Sequence, residues 1–300
     1  MNAFEAELAQ SFGARVERGR PLAALTSFRI GGPADFLLEV GDEQELADAL
    51  AIAARHSMPA FCLGTGTNLL ISDRGVRGLV LRLGAGFRQV QFNGCRARAG
   101  AAVPFGELVA QAVAHGLAGL EFGEGIPGSV GGALIMNAGA FGGELAPVVS
   151  AVRGAQRDGT LRTLGKDEIG FSYRRSVLPP GFIVAAVQFD LIAGDRAALQ
   201  AKVAELKAKR AARQPQGVPN AGSIFKNPPG HFAGRLLEAC GLKGERIGGA
   251  AFSHQHANFI VNLGGARAGE VRALMELARE RVEQQTGVRL EPEVKLVGEW

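Results

Sequence analysis

One stretch of the chain, residues 119–144, holds nine glycines together with aliphatic side chains such as Ile126, Val130 and Leu134. Glycine loses the most conformational freedom on folding, so this density indicates backbone that has positive φ or lies against a flat, bulky group. An ordinary surface loop does not carry this much aliphatic bulk. We therefore expect a loop that surrounds a cofactor, with backbone N–H groups facing a pyrophosphate or a heterocycle and apolar side chains beside a ring system.

A second glycine segment, Gly64-Thr65-Gly66-Thr67-Asn68-Leu69-Leu70, follows a predicted strand at residues 59–63. A dinucleotide-binding Rossmann turn would need a third glycine and then an amphipathic helix. The chain continues instead as ISDRGVRGLVL, which predicts a loop and a strand. A Rossmann site is therefore excluded, whereas phosphate binding through backbone N–H groups and hydroxyls is retained.

The remaining pattern alternates strands and helices. The sequence predicts helices over 43–53, 105–115, 195–213, 231–240 and 267–286, and strands over 35–40, 78–83, 87–93, 95–101, 147–155, 182–192, 257–262 and 293–298. The proline- and glycine-containing run at 214–220 is the best candidate for a domain boundary.

Composition excludes several classes of protein. The net charge is +4, but both signs are mixed along the chain, and the basic stretch 202–213 fits the solvated face of a helix, so no nucleic-acid partner is expected. The acidic start of the chain does not resemble a signal peptide, and the most apolar segment, 101–120, contains Pro104, Glu107 and His115. We expect a cytoplasmic protein without membrane insertion.

The cysteines and histidines do not predict a metal site. Cys62, Cys95 and Cys240 are scattered and form no Cys-x-x-Cys pair, which argues against a zinc ribbon, a disulfide scaffold or an iron–sulfur site. His254 and His256 alternate as ligands on a strand would, but no third ligand is near them in the sequence. Ordinary packing and hydrogen bonding is the preferred interpretation.

Several segments together resemble the bacterial MurB reductases (UDP-N-acetylenolpyruvoylglucosamine reductase), and the resemblance runs from about residue 21 to the C-terminus. The matching segments are Thr26–Ala34, Gly64–Leu70, Gly125–Ala133, Tyr173–Ser176, Ala221–Pro228, His256–Phe259 and Leu290–Val294. Any one of them could occur by chance. All of them in this order and spacing are very specific.

The resemblance implies an α+β fold. An FAD-binding unit of the vanillyl-alcohol-oxidase/PCMH type, with two α+β subdomains at about 21–84 and 85–214, would be followed by a C-terminal α/β substrate-binding domain at 215–300. Residues 1–20 would form an N-terminal extension. We expect the protein to be a monomer.

The activity implied by the resemblance is that of a UDP-N-acetylmuramate dehydrogenase, an oxidoreductase of peptidoglycan precursor synthesis. Such an enzyme uses FAD and NADPH to reduce the enolpyruvyl ether of UDP-N-acetylglucosamine enolpyruvate. The flavin loops have no His or Cys where relatives in the wider fold attach FAD, so noncovalent binding is expected. Two alternatives stay open: an FAD-dependent oxidase, and a flavin- or sugar-nucleotide-binding protein without catalysis.

The resemblance assigns catalytic roles to Arg174, Ser223 and Glu293. Arg174 would stabilise charge on the substrate carboxylate and enolate, Ser223 would donate the proton, and Glu293 would hydrogen-bond the enolate or orient the substrate. Glu291 lies two residues before Glu293, so the choice between these two glutamates stays open.

Further positions are assigned to binding. Tyr173, Lys226, Asn227 and His256 would contact the substrate. The cofactor would be bound by the two glycine segments, at Gly64, Thr65, Gly66, Thr67, Asn68, Leu69, Gly125, Ile126, Pro127, Gly128, Ser129, Gly132, Ala133 and Asn137.

Two departures from the family pattern bear on the site. Many members have Lys-His where this chain has Gln255-His256, so a lysine contact at that position is in doubt. Tyr173 is the one tyrosine in the chain, so a capping tyrosine on an extra loop cannot exist here. The chain therefore resembles the shorter variety of the family.

Overall fold

A computed structural model describes residues 3–300 of the chain. Within that range lie seven α-helices: α1 Ala3–Phe12, α2 Glu43–Arg55, α3 Phe105–Ala114, α4 Val130–Ile135, α5 Arg196–Arg213, α6 Ala233–Ala239 and α7 Ala268–Thr286. Short 3-10 turns occupy Gly13–Arg15, Ala23–Leu25, Ala85–Phe87, Glu121–Gly123 and Lys166–Glu168.

Twenty strands lie in the described part of the chain, and many of them are only two or three residues long. They are β1 Glu17–Pro21, β2 Pro33–Val40, β3 Ala60–Cys62, β4 Leu69–Ile71, β5 Val76–Leu83, β6 Val90–Asn93, β7 Arg96–Gly100, β8 Leu117–Ala118, β9 Gly139–Ala140, β10 Gly143–Glu144, β11 Val149–Ala155, β12 Leu161–Gly165, β13 Gly170–Ser172, β14 Arg175–Val177, β15 Ile183–Asp190, β16 Ile192–Ala193, β17 Arg246–Ile247, β18 Ala250–Phe252, β19 Ile260–Asn262 and β20 Lys295–Val297.

The chain divides into two compact units. Within the described residues, unit 1 comprises 3–18, 36–64 and 78–209, and unit 2 comprises 19–35, 65–77 and 210–300. The sequence analysis assigned residues 21–84 to the first FAD-binding subdomain, whereas 21–35 and 65–77 group with the C-terminal part. The physical reason lies within unit 2, where β4 pairs in parallel with β20, Leu69 opposite Lys295.

Unit 1 is built around an antiparallel five-stranded sheet of order β12-β11-β15-β7-β6. Helices α3 and α4 supply Phe105, Leu108 and Val130 to the core on this sheet, and all three are fully buried. In a second sheet, β3 and β5 run parallel, and α2 connects β2 to β3 along the chain. Asp42 begins α2 by accepting a hydrogen bond from the Glu45 amide at 2.9 Å.

Helix α1 belongs to the core of unit 1, although the sequence analysis treated this segment as an extension. Phe4, Leu8 and Phe12 recur every four residues and are all buried against residues such as Phe36 and Leu50. That spacing places them on one face of a helix. The short length of the pattern explains why it was not identified from sequence.

Replacing Leu8 should therefore destabilise unit 1. We expect Leu8→Ala to lower the free energy of unfolding by roughly 2–5 kcal/mol, because the side chain is fully buried and its removal leaves a cavity. Urea denaturation followed by circular dichroism would measure the loss. Gln10→Ala, at an exposed position of the same helix, is the matched control and should change stability by less than about 0.5 kcal/mol. Equal stability of Leu8→Ala and wild type would contradict this role for α1.

Unit 2 has an antiparallel three-stranded sheet of order β17-β18-β19, with α6 and α7 packed on its core. Asp73 accepts hydrogen bonds from the amides of Ala268 and Gly269 at 2.9 and 3.0 Å and so caps the start of α7. The predicted strand at 257–262 is shorter in the structure and begins at Ile260. The residues before it form a turn that becomes important below.

Candidate functional site

The two glycine segments meet within unit 1 at Ser129. A Cβ atom added to Gly64 would lie 3.2 Å from Ser129 Oγ, and one added to Gly132 would lie 3.6 Å from the same atom. Gly64 and Gly132 are exposed, whereas Ser129 is buried. Ser129 Oγ accepts a hydrogen bond from the Gly132 amide at 3.3 Å and caps α4. The result is an exposed backbone surface that carries no side chains at either glycine.

This surface fits a large, flat cofactor. Gly125 and Gly128 have φ values of +68° and +133°, in the region that favours glycine. Gly125 and Pro127 are exposed, and Ile126 is half-buried beside them. Ala133, by contrast, lies within α4 and is buried in the core of unit 1. The segment thus leaves main-chain groups accessible to solvent, while buried side chains such as that of Ala133 pack into the core. Binding of a pyrophosphate or a ring edge requires such accessible main-chain groups.

In unit 2, the rest of the second glycine segment is held by its own neighbours. A Cβ atom at Gly66, whose φ is +63°, would lie 2.8 Å from both Leu25 O and Thr26 Cα, so only glycine fits there. The Ser27 amide and hydroxyl both donate to Gly66 O at 3.3 Å. Thr65 is exposed, and Thr67 is half-buried.

Asn68 connects this segment to the residues just before β20, among which Glu293 lies. Its Nδ2 donates to the Glu293 carbonyl oxygen at 3.1 Å, and its own carbonyl oxygen accepts from the Lys295 amide at 3.0 Å. These bonds extend the parallel pairing in which Leu69 lies opposite Lys295. The predicted cofactor segment therefore also fixes the backbone of a predicted catalytic residue.

Arg174 lies at the turn of the β13–β14 hairpin in unit 1. Its backbone has φ of +57°, and its guanidinium carbon lies 5.1 Å from the centroid of the Tyr173 ring. Tyr173 is 49% exposed and Arg174 is half-buried. A left-handed backbone is costly for a residue with a side chain, so the surrounding contacts must hold the turn.

Two contacts hold that hairpin to the glycine-rich stretch. Ser176 Oγ donates to the carbonyl oxygen of Leu134. Asn137, which is buried and has φ of +39°, donates from Nδ2 to the Ser172 carbonyl oxygen at 3.1 Å. Asn137 Oδ1 accepts from the Ala146 amide at 2.9 Å. The Asn137 amide is thus bound to protein, and cofactor contact by this residue stays a prediction.

Ser223 and Glu293 lie on neighbouring segments of unit 2. The Glu293 amide donates to Ile224 O at 2.8 Å, and the Lys226 amide donates to Glu291 O at 2.9 Å. Both bonds flank an antiparallel bridge between Phe225 and Pro292. Ser223 and Glu293 are both half-buried, so each side chain is supported by packing and still accessible.

The structure distinguishes the two glutamates. The Glu291 carboxylate lies 2.5 Å from Lys226 Nζ, and its side chain is 70% exposed. Its negative charge is therefore balanced by Lys226, which is itself a predicted substrate contact. Glu293 is less exposed, and its backbone is fixed from both sides by Ile224 and Asn68. These contacts favour Glu293 for the catalytic role.

The other predicted substrate contacts have defined local roles. Asn227 Oδ1 accepts from the Ala233 amide at 3.0 Å at the start of α6. His256 Nδ1 accepts from the Asn258 amide at 3.1 Å, so the neutral ring carries its proton on Nε2. Burial lowers the pKa of His256, and nearby Lys243 acts in the same direction.

The lowered pKa of His256 makes stability depend on pH. Above the ordinary value of 6.5 the ring is neutral in both states, but below it the unfolded chain takes up a proton more readily than the folded one. We therefore expect the free energy of unfolding to fall as pH decreases through 6.5, and to fall less in His256→Gln. Urea denaturation at pH 7.5 and pH 5.5 would measure this. Equal pH dependence in wild type and His256→Gln would contradict the assignment.

Asn258 is the residue that sequence reasoning missed. It lies in the quoted segment His256–Phe259, yet no role was assigned to it. Its buried amide bonds the backbone of Phe225 through both polar atoms.

Among residues 3–300 there is no group of three His, Cys, Asp or Glu side chains that could hold a metal.

A family model described as "FAD binding domain" matches residues 34–165. Together with the antiparallel sheets, the parallel pairing of β3 with β5 and the glycine-lined surface, this match defines an α+β flavoprotein with an FAD-binding domain. A second model, "UDP-N-acetylenolpyruvoylglucosamine reductase, C-terminal domain", matches residues 214–297. The chain belongs to the UDP-N-acetylenolpyruvoylglucosamine reductase family. The resemblance inferred from the motifs, the fold class and FAD as cofactor are thereby confirmed.

Individual relatives agree with this assignment. The chain is 50% identical over 285 residues to UDP-N-acetylenolpyruvoylglucosamine reductase 2 of Symbiobacterium thermophilum, covering 95% of this chain and 92% of the relative. It is 47% identical to the reductase of Rubrobacter xylanophilus, covering 93% and 94%.

Solved structures show the same fold. The crystal structure of the reductase MurB from Thermus caldophilus matches with a TM-score of 0.83 and 40% identity, over 94% of this chain and 99% of that one. The BBE-like 1 protein of Physcomitrella patens matches with a TM-score of 0.59 at 14% identity, over 94% of this chain and 89% of that one, which shows a shared fold alone. None of the helices within residues 3–300 is long and apolar enough to cross a membrane.

Proposed function

We propose that this chain reduces the enolpyruvyl ether of UDP-N-acetylglucosamine enolpyruvate to UDP-N-acetylmuramate, with NADPH as reductant. The observation that carries the proposal is the pairing of Ile224 with Glu293, which brings Ser223 and Glu293 onto adjacent segments while Glu291 is bound to Lys226. A proton donor and a second acidic group side by side suit protonation of a carbanion.

Noncovalent FAD, when bound, would supply the hydride for the enolpyruvyl β-carbon. The exposed glycine surface at Gly64, Gly125 and Gly132 in unit 1 would hold the cofactor. Contact by residues 65–69 is implied by the family resemblance. The glycines allow close approach of the main chain, and their role is to bind rather than to react.

The protein's own residues handle the charge and the proton. As the β-carbon gains hydride, negative charge develops on the α-carbon and its carboxylate, where the planar guanidinium of Arg174 is suited to bind. The Ser223 hydroxyl transfers its proton to the α-carbon and regains one from water. Hydride and proton together saturate the carbon–carbon double bond, and NADPH is oxidised to NADP⁺. Glu293, when protonated, donates a hydrogen bond to the enolate.

Binding of the UDP-sugar completes the proposal. Lys226 is a cation whose side chain is 15% exposed, and Tyr173 presents a half-exposed ring beside Arg174. Lys226, Asn227, His256 and Tyr173 would contact phosphate, sugar or nicotinamide groups. Because both the nucleotide sugar and NADPH are intracellular metabolites, we place the enzyme in the cytoplasm, and we expect it to elute as a monomer.

A spectral titration tests the function. The purified protein should be yellow, its flavin absorbance should bleach when NADPH is added without oxygen, and the absorbance should return when the enolpyruvyl substrate follows. The returned absorbance should match formation of UDP-N-acetylmuramate mole for mole. Colourless protein that cannot be reconstituted with FAD, or reduced flavin that reacts with oxygen but not with the substrate, would contradict the proposal. The second result would favour an oxidase.

A further inference from the structure

Asn258 makes an unusual set of contacts in unit 2. Its side-chain Oδ1 accepts from the Phe225 amide at 3.0 Å, and its Nδ2 donates to the Phe225 carbonyl oxygen at 2.8 Å. Its backbone carbonyl accepts from the Ile224 amide at 2.9 Å. One residue therefore satisfies three main-chain groups of the two residues that directly follow Ser223.

The Asn258 amide makes the two hydrogen bonds to Phe225 that a neighbouring strand would otherwise make. Ile224 and Phe225 are fully buried, so their polar main-chain groups need partners inside the protein. On the other side of the same segment, the Glu293 amide donates to Ile224 O at 2.8 Å. The segment is thus fixed between Asn258 on one side and the Glu293 segment on the other.

A glycine directly precedes Ser223. Gly222 has φ of +74°, and no heavy atom would lie within 4 Å of a Cβ atom placed on it. Before it, Ala221 is buried and the Asn220 carbonyl oxygen accepts from Ser27 Oγ at 2.7 Å. Because glycine has more backbone freedom than other residues, the position of the Ser223 hydroxyl also depends on how Ile224 and Phe225 are anchored.

We propose that Asn258 is a positioning residue for proton transfer: its amide fixes the register of Ser223 against Glu293. The inference rests on the proposed function of Ser223 as proton donor. Asn258 itself is 3% exposed and contacts the backbone, so it acts through Ser223. A displacement of about 1 Å is enough to slow a positioned reaction roughly 10²-fold.

The test uses stopped-flow measurement of the two half-reactions in the full-length, FAD-loaded protein. Asn258→Leu keeps a similar volume but neither hydrogen-bonding atom. We expect flavin reduction by NADPH to stay within about twofold of wild type, and reoxidation by the enolpyruvyl substrate to slow roughly 10²-fold. Loss of both half-reactions to the same extent, or unchanged reoxidation, would overturn the proposal.

Asn262→Leu is the matched control. Asn262 is also buried in unit 2 and also bonds main chain through both side-chain atoms, to Phe28 O at 3.0 Å and from the Gly264 amide at 2.9 Å. Asn262→Leu should lower the free energy of unfolding by a similar amount, without a selective loss of flavin reoxidation by the substrate. The same selective loss in this variant would show a general effect of damage to unit 2 and would overturn the role of Asn258.

Asn258→Asp adds a pH readout. A protonated carboxyl group has one donor and one acceptor, as the amide has, whereas the ionised form has no donor for Phe225 O. Reoxidation in this variant should therefore approach the wild-type rate as pH falls, and a defect that does not change with pH counts against the proposal. If neither variant folds, amide exchange in wild-type holoenzyme decides: fast exchange at Phe225 would overturn the anchoring, and slow exchange would support it.

Ser223→Ala in the same assay separates this inference from the proposed function. Normal reoxidation in Ser223→Ala would remove the proposed role of Ser223 itself. Slow reoxidation in Ser223→Ala together with normal reoxidation in Asn258→Leu would leave that role intact and overturn only the inference about Asn258.

Discussion

Ser223→Ala should still let NADPH reduce the flavin at the wild-type rate, while reoxidation by the enolpyruvyl substrate slows roughly 10²- to 10⁴-fold, the usual contribution of a general acid. The reason is that hydride transfer from NADPH needs no proton from the serine, whereas the substrate carbanion does. Stopped-flow absorbance of the flavin measures both steps separately in one preparation.

The control for this prediction is a serine that the structure assigns elsewhere. Ser253 is buried in unit 2, and its Oγ accepts from the Gln255 amide at 3.1 Å, so Ser253→Ala tests loss of a structural hydroxyl. It should leave the ratio of the two half-reaction rates unchanged. An equal loss of both steps in Ser223→Ala would instead show that Ser223 is a structural turn residue after Gly222.

The parts of the fold that sequence predicts well carry local signals. Asp42 before an apolar-periodic segment predicted the start of α2, and the Asp42 side chain does cap that helix. The density of glycines at 119–144 predicted exposed main chain, which Gly125 and Gly132 provide. In each case the informative residues lie within a few positions of one another.

The contacts that sequence did not predict join distant segments through asparagine amides. Asn68 bonds Glu293, Asn137 bonds Ser172, and Asn258 bonds Phe225, each through a side chain on a main-chain carbonyl. Such bonds produce no periodicity and need no partner residue of a particular type. An asparagine in a cofactor or substrate motif was therefore interpreted as a ligand contact or left without a role.

The grouping of residues 65–77 also depends on contacts between distant segments. Residues 65–77 group with unit 2 because β4 pairs in parallel with β20, more than 200 positions away along the chain. Parallel pairing leaves no turn signal between the two strands. The proline- and glycine-containing run near residue 215 is visible in the sequence as a local change in composition. The two units depend instead on strand pairings between distant residues, such as that of β4 with β20, which leave no local signal in the sequence.

Glu293→Gln should have the second large effect, on the same half-reaction. We expect reoxidation by the enolpyruvyl substrate to slow roughly 10²- to 10³-fold, because an amide is a weaker hydrogen-bond donor to a developing oxyanion than a carboxylic acid and has no acidic proton. The substitution keeps the length of the side chain and the backbone bonds to Ile224 and Asn68, so folding should be preserved. Flavin reduction by NADPH should be unchanged.

Glu291→Gln is the matched control, since it makes the same chemical change two residues away. The Glu291 side chain is 70% exposed and pairs with Lys226, and solvent screening of the exposed carboxylate keeps this ion pair worth about 1 kcal/mol. We therefore expect reoxidation within about fivefold of wild type, with the change confined to substrate affinity through Lys226. The reverse order, a large loss in Glu291→Gln and a small one in Glu293→Gln, would transfer the catalytic role to Glu291. It would also mean that the bond between Glu291 and Lys226 must break before the substrate reacts.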